Sequence, residues 1–462
     1  MLRAVSSISS LLLGMSILLS GSGLIGILLA LRATAEDFGD FTIGLIMAAF
    51  YAGYVVGAMV CPRLIHRVGH IRAFTAFAAS CAAISLAYGL VVDPMAWMVL
   101  RLANGLALIG IYMVIESWIN ERTQEDRAQV FSVYMMANLV ALAVGQYLIL
   151  FHGVTGQGSF TIAGMLFAIG LLPIALTPAS QPTPIRTERL RLSRLYAVSP
   201  VGFVGVLGSG LLGGSFWSFA AIYARSLGMH ESQAAGFVVA AIIGGAILQW
   251  PIGWLSDRFD RRAVLLGVSV GTMLTVAGFA ILHTTSILVI YAMAVGFGGF
   301  LFSIYGIAVA QTHDRFQVSE VLEATKGMLM VHGIGSALGP IITGTALALH
   351  GDGFPLTLAV MAALLGSFTL ARLLRDAPVP VAEKTVFAPM ETASPVSMDM
   401  DPRSPDPEPI ETGLVGPEPM YANDYRQDNA IVPIMATAGE PMATRPSRVK
   451  AAGSERELET LP

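Results

Sequence analysis

The chain has little charge: Asp, Glu, Lys and Arg together make up 13% of its 462 residues, where soluble domains average about 25%. Hydrophobic residues reach 55% and the mean hydropathy is +0.69, which excludes an ordinary soluble globule of this length. Cysteine is nearly absent. Cys61 and Cys81 lie in or beside apolar segments and read as small buried residues, so no disulfide framework is expected. No Gly-rich Walker loop occurs, which argues against nucleotide-driven chemistry and leaves no cofactor to expect. His66 and His70 have a helical ligand spacing, but no carboxylate or thiol stands near enough to complete a metal site. No nucleophile is paired with a base, so no enzymatic activity is expected. With a net charge of −4 and no concentrated basic domain, nucleic acid is not an expected partner.

What is present is long apolar runs. A spanning helix needs about 20 such residues, and about twelve runs meet that need, centred near Leu19, Tyr51, Ala82, Leu106, Val140, Phe167, Leu212, Ile242, Met273, Gly296, Ser336 and Leu364. The first, Leu11 to Leu31, is followed by Ala33-Thr34-Ala35 and imitates a secretory signal. It is too long for a signal core of about 7–15 residues and reads as an uncleaved first span. The longest break within the bundle, Pro178 to Pro200, carries Arg186, Arg189, Arg191 and Arg194.

Basic residues are sorted by side. One set of loops holds Arg63, Arg67, Arg72, Arg122, Arg127, the four central arginines, Arg258, Arg261, Arg262, Arg315, Arg372 and Arg375. The opposite set holds little beyond Arg32 and Arg225, among Glu36, Asp37, Asp40 and Asp93. The positive-inside rule then places both termini and the central loop in the cytoplasm of a bacterial inner-membrane protein.

The two halves repeat. The segment from Gly253 through Asp257 and Arg258 to Arg262 closes the eighth span as Pro62-Arg63-Leu64-Ile65-His66-Arg67 closes the second, and an offset of 191 aligns Asp257 with His66. The same offset pairs Gly14 with Gly205, Gly23 with Gly214, Gly53 with Gly244 and Gly105 with Gly296. Such a pattern predicts a six-plus-six duplication. Expected boundaries are 1–178 for the first half, 179–200 for the central loop and 201–375 for the second half. Residues 376–462 hold more than half of the chain's 24 prolines and read as a disordered cytoplasmic tail.

The fourth span is the most informative. At about 100° per residue, Arg101, Gly105, Tyr112 and Glu116 share one sector of an otherwise apolar helix. Charge at membrane depth is costly and faces a cavity or a partner. Arg101, Asn104, Tyr112 and Glu116 are therefore candidates for a solute or proton path. The eleventh span adds His332, whose ordinary pKa suits proton exchange. Asn138 and Gln146 on the fifth span and Trp217 on the seventh are further candidates, with Ser16, Ser20, Ser215, Ser218 and Gln249 as softer ones. Glu323 and Lys326 sit one turn apart and can pair.

The Gly253–Arg262 segment resembles the loop signature G-x-x-x-D-R-x-G-R-R of the major facilitator superfamily, with Asp260 where Gly is usual; in the first copy Pro62 replaces Gly and His66 replaces Asp. The stretch Ile115–Asn120, with Ser132-Val133-Tyr134 and Thr312-His313-Asp314-Arg315, is similar to the YcaD-like bacterial branch. The Gly-Pro element of many drug–proton antiporters is missing from the fifth span. The resemblance, covering about Leu11 to Arg375, implies an all-α membrane protein with twelve transmembrane helices in two six-helix pseudo-symmetric halves, the major facilitator fold. It implies a monomeric secondary carrier that works by alternating access in a lipid bilayer. Arg67, Gly253, Asp257, Arg258 and Arg262 would form its cytoplasmic gate. The cargo expected is a small organic molecule, neutral or amphipathic, moved with protons. A membrane sensor or scaffold that binds a partner through its tail is the alternative.

Overall fold

A computed structural model describes residues 2–122, 127–176, 192–281, 286–317, 320–351 and 353–380, together with 384, 385 and 387. The described residues contain thirteen α-helices and no strand. The first half comprises α1 (Leu2–Ala35), α2 (Asp40–Val68), α3 (His70–Leu90), α4 (Pro94–Arg122), α5 (Arg127–Tyr147) and α6 (Gly158–Ala175). A short helix α7 (Leu192–Val198) precedes α8 (Pro200–Ser226), α9 (Glu231–Arg258), α10 (Arg261–Ile281), α11 (Ile287–His313), α12 (Val321–Leu349) and α13 (Gly353–Arg375). All but α7 are long and apolar enough to cross a membrane, which makes twelve candidate spans.

Local chemistry sets the helix ends. Gly69, at φ +86°, turns the chain between α2 and α3 in a conformation that costs glycine nothing. The Asp93 carboxylate accepts the Ala96 N–H at 2.8 Å and so satisfies one of the open donors at the start of α4. Pro200 opens α8 at its first turn, where its missing N–H is no loss. Most of the central arginine-rich break, residues 177–191, lies outside the described residues. Its last part is helical: in α7 Leu195 is fully buried and Arg194 forms an ion pair with Glu320.

Large apolar side chains line the outside of the bundle, among them Leu90, Leu176, Ile281, Leu288, Leu349 and Leu374, all more than 70% exposed, as a lipid-facing surface requires. Between helices, glycine permits close approach. The repeat is visible in this packing. A Cβ at Gly53 would strike the Leu102 carbonyl, and one at Gly244 the Val295 carbonyl, so α2/α4 and α9/α11 are equivalent pairs. Likewise Gly145 abuts the Ser20 carbonyl while Ser336, its counterpart at the same offset, packs on Gly214.

One pairing expected from sequence shifts. Gly105 packs on the Phe50 carbonyl, and the residue that packs on the equivalent Ala241 carbonyl is Gly298, not Gly296. A Cβ at Gly296 would meet only Thr275, at 3.7 Å. Two extra residues therefore accumulate between α9 and α11, a drift that a single offset cannot register. Gly14 and Gly205 also differ, the first packing on Gly170 and Ile174 and the second on Ala308.

The two ends of the bundle can be named by their charge. At the acidic end, which carries Asp40 and Asp93, the halves meet along α2 and α12: a Cβ at Gly44 would lie 3.3 Å from Gly344 Cα, and one at Gly344 3.1 Å from Gly44 Cα. At the basic end lie the α2–α3 and α9–α10 loops.

Candidate functional site

Between the halves lies a cavity of about 600 Å³, within the usual range for small-molecule sites. Arg101, Tyr112, Gln146, Trp217 and His332 line it, as do Ser218 and Gln249. Gln146 donates to the Gly23 carbonyl at 3.2 Å and Gln249 to the Phe302 carbonyl at 3.1 Å. Trp217 packs against Phe216 and Phe302, with ring centroids at 5.4 and 5.8 Å. The His332 ring meets Tyr305 edge-on at 5.0 Å. Arg101 is 7% exposed; its guanidinium lies 4.5 Å from the Phe50 ring centre, with Nη2 3.4 Å from Met47 Sδ.

Three expected path residues do not line the cavity. Glu116 is fully buried and accepts the Tyr134 hydroxyl at 2.8 Å, with Asn138 hydrogen-bonded to the same tyrosine. The reason is rotational: Tyr112 stands about 20° from Arg101 around the helix, but Glu116 stands about 60° away, enough to turn it into the α4–α5 seam. Asn104, 3% exposed, points the other way and places its Nδ2 3.7 Å from Cys81 Sγ. Of the softer candidates, Ser20 bonds the Ser16 carbonyl within its own helix at 2.8 Å, and Ser215 accepts from Thr343 at 2.8 Å.

A second cluster forms at the basic end around the α9–α10 loop. Arg261 is 1% exposed; its Nε donates to Asp314 Oδ2 at 2.6 Å, its Nη1 lies 3.2 Å from Asp257 Oδ1 and 3.1 Å from Ser256 Oγ. Arg262, equally buried, pairs with Asp260 at 2.7 Å. It also reaches past it to the Arg372 and Asp376 carbonyls at 3.2 and 2.9 Å, capping α13. Burial alone would raise the Asp260 carboxyl, but its bonds from Arg262 outweigh that and hold it below its ordinary value. Arg258 is exposed and stacks on Trp254, 3.7 Å from the ring centre.

The tail enters this cluster. The Thr385 N–H and hydroxyl both donate to Asp314 Oδ1 at 2.9 Å, its carbonyl accepts from Arg261, and the Phe387 N–H donates to Asp257 at 3.0 Å. Lys384 donates to the Phe259 carbonyl at 2.5 Å, and burial followed by the nearby Arg261 pushes its ammonium below the ordinary value. The Phe387 ring covers Gly253, whose missing side chain makes room for it, and lines the central cavity. The region expected to be disordered from Asp376 onward thus contributes three placed residues to the site; residues 388–462 lie outside the described residues. Sequence reasoning singled out neither Arg261 nor Asp314 as site residues, although both stand in the quoted motifs.

The corresponding first-half loop is different. Arg67 and His66 are exposed, and among the described residues Arg67 has no ion pair. Arg122 and Arg127 have no described side chains. His70 is buried beside Trp118, ring centroids 6.3 Å apart, while His66 is exposed. Among the described residues no group of His, Cys, Asp or Glu could hold a metal ion.

Twelve spans in two glycine-packed halves around one cavity define a membrane transporter fold, and the chain belongs to the Major Facilitator Superfamily, whose sequence profile matches residues 11–305 and 202–416. It is a multi-pass membrane protein of the YcaD branch. It is 27% identical over 392 residues to the uncharacterised MFS-type transporter YcaD of Salmonella arizonae, covering 80% of this chain and 97% of that one. The YcaD protein of Escherichia fergusonii is 26% identical over 378 residues, covering 79% and 95%. Among solved structures the fold matches the nucleoside transporter NupG with a TM-score of 0.68 at 15% identity, over 79% of this chain and 99% of that one. A bacterial homologue of the human lysosomal transporter Spinster matches with a TM-score of 0.66 at 14% identity, over 82% and 98%.

Proposed function

We propose that the protein is a secondary carrier that moves a small organic solute across the bacterial inner membrane by alternating access. The observation that carries this reading is the cavity of about 600 Å³, walled by α4 and α5 on one side and α8 and α12 on the other. In this reading the halves are residues 1–178 and 201–375, joined by a central loop at 179–200, and the basic end faces the cytoplasm. The Gly44–Gly344 contact then closes the outer side, and the route runs from Arg101 toward the mouth where Phe387 stands. Rocking of the two halves would exchange these closures.

Proton coupling is part of the proposal. His332 faces the cavity as the one imidazole on its wall among the described residues, and Glu116 stands one helix face away behind Tyr134. Reconstitution into proteoliposomes, with flux of a solute panel measured with and without a pH gradient, tests both levels. Saturable flux of some solute that grows with the gradient is expected. Flux indifferent to the gradient removes the coupling; a correctly inserted protein that moves nothing while its tail captures a partner removes the carrier.

A further inference from the structure

We infer that the cavity takes an organic anion, a carboxylate on an aromatic or apolar body, with Arg101 as its charge partner. The inference rests on the carrier reading and narrows its cargo. Among the described residues that line the cavity, Arg101 is the only Arg, Lys, Asp or Glu. Among the described residues it has no ion pair. The carboxylate buried on the same helix, Glu116, lies about 22 Å along the axis and accepts a bond from Tyr134.

The guanidinium contacts the Met47 sulfur at 3.4 Å and the Phe50 face at 4.5 Å, with the neutral Tyr88 and Tyr51 hydroxyls as its nearest polar company. Its Nε is buried without an acceptor. A buried charge whose donors are only partly met is expensive, and in a membrane span such a residue marks a ligand path. A fork of N–H donors at a cavity wall fits a carboxylate in two-point contact, and the positive charge repels cations. The remainder of the wall suits an apolar body: Tyr51, Tyr54, Phe216, Trp217 and Phe302 all line it. The sequence suggested a neutral or amphipathic solute; burial shows which of the stripe's charges stays in the cavity.

The test uses three solutes with one body and three charges: 3-phenylpropionate, 3-phenylpropionamide and 3-phenylpropylammonium. Binding is read as a rise in the thermal midpoint of the full-length protein in detergent, since a ligand of the folded state stabilises by mass action. Stabilisation by the carboxylate alone, lost in Arg101→Gln and about tenfold weaker in Arg101→Lys, which keeps the charge but not the fork, is the expected result. Equal stabilisation by the amide or the ammonium, carboxylate binding unchanged in Arg101→Gln, or no stabilisation by any of the three overturns the inference. If Arg101→Gln fails to fold, the three-solute series on the native protein and Arg101→Lys still decide it. The two readings fail separately. Carboxylate binding without flux in proteoliposomes keeps the anion site and removes the carrier, whereas flux of neutral solutes untouched by Arg101→Gln does the reverse.

Discussion

The α2–α3 and α9–α10 loops occupy equivalent places in the two halves, yet only one is a network. In the second, Asp257 and Asp260 give Arg261 and Arg262 partners close in sequence, and Asp314 at the end of α11 completes the set. Both arginines are thereby buried at 1% exposure. In the first, Pro62 and His66 replace the glycine and the acid, and Arg67 lies in solvent. Losing one carboxylate changes the fate of its neighbours, because burying a guanidinium without a counter-charge is costly. The glycine matters as well: Gly253 leaves the space that Phe387 fills, and a proline at the matching place offers none. A duplicated frame has thus kept its packing and divided its electrostatics.

The largest expected break in this comparison is Arg261→Ala. Leaving the Asp314 carboxylate, a side chain 1% exposed, without its charge partner should cost about 3–5 kcal/mol, seen as a fall in thermal midpoint, while Arg67→Ala stays within about 0.5 kcal/mol. Similar losses at both sites would erase the asymmetry. A smaller effect concerns the tail. Stopping the chain after Pro380 removes Thr385 and Phe387, so a thiol introduced by Trp250→Cys at the cavity wall should label several-fold faster with a membrane-impermeant maleimide. Unchanged labelling would mean that Phe387 does not cover the mouth. The smallest effect is at Asp260. Its carboxyl is held below the ordinary value, so its contribution is present above that ordinary value and is lost as pH falls through the lowered one. The stability gap between the native protein and Asp260→Asn should be below about 1 kcal/mol at neutral pH and close on acidification. A gap that widens in acid would contradict the pairing.

Much of this frame was legible in the chain. Apolar length, the sorting of arginines and the repeat of Gly53 and Gly244 are one-dimensional signals, and the twelve spans and paired halves follow from them. Arg101 was legible because a charge in an apolar helix has few places to go. Glu116 was not: a drift of about 60° around α4 separates a cavity from a seam, and no periodicity in one helix says where its neighbour stands. Arg261 and Arg262 look alike in a basic run, and only Asp314, 53 residues later, distinguishes them. The seat of Thr385 and Phe387 depends on backbone donors meeting Asp314 and Asp257, which leaves no mark in a proline-rich segment.

The central claim is that solute passes through the cavity between the halves, and filling that cavity tests it. Gly26 and Gly213 both line it, and a Cβ at either would meet nothing within 4 Å, so Gly26→Trp and Gly213→Trp can project into the route without displacing a helix. Once a transported solute is in hand, proteoliposome flux through these variants is the measurement. Near-complete loss of flux at an unchanged thermal midpoint is the predicted result, and native flux through a plugged cavity would contradict the account.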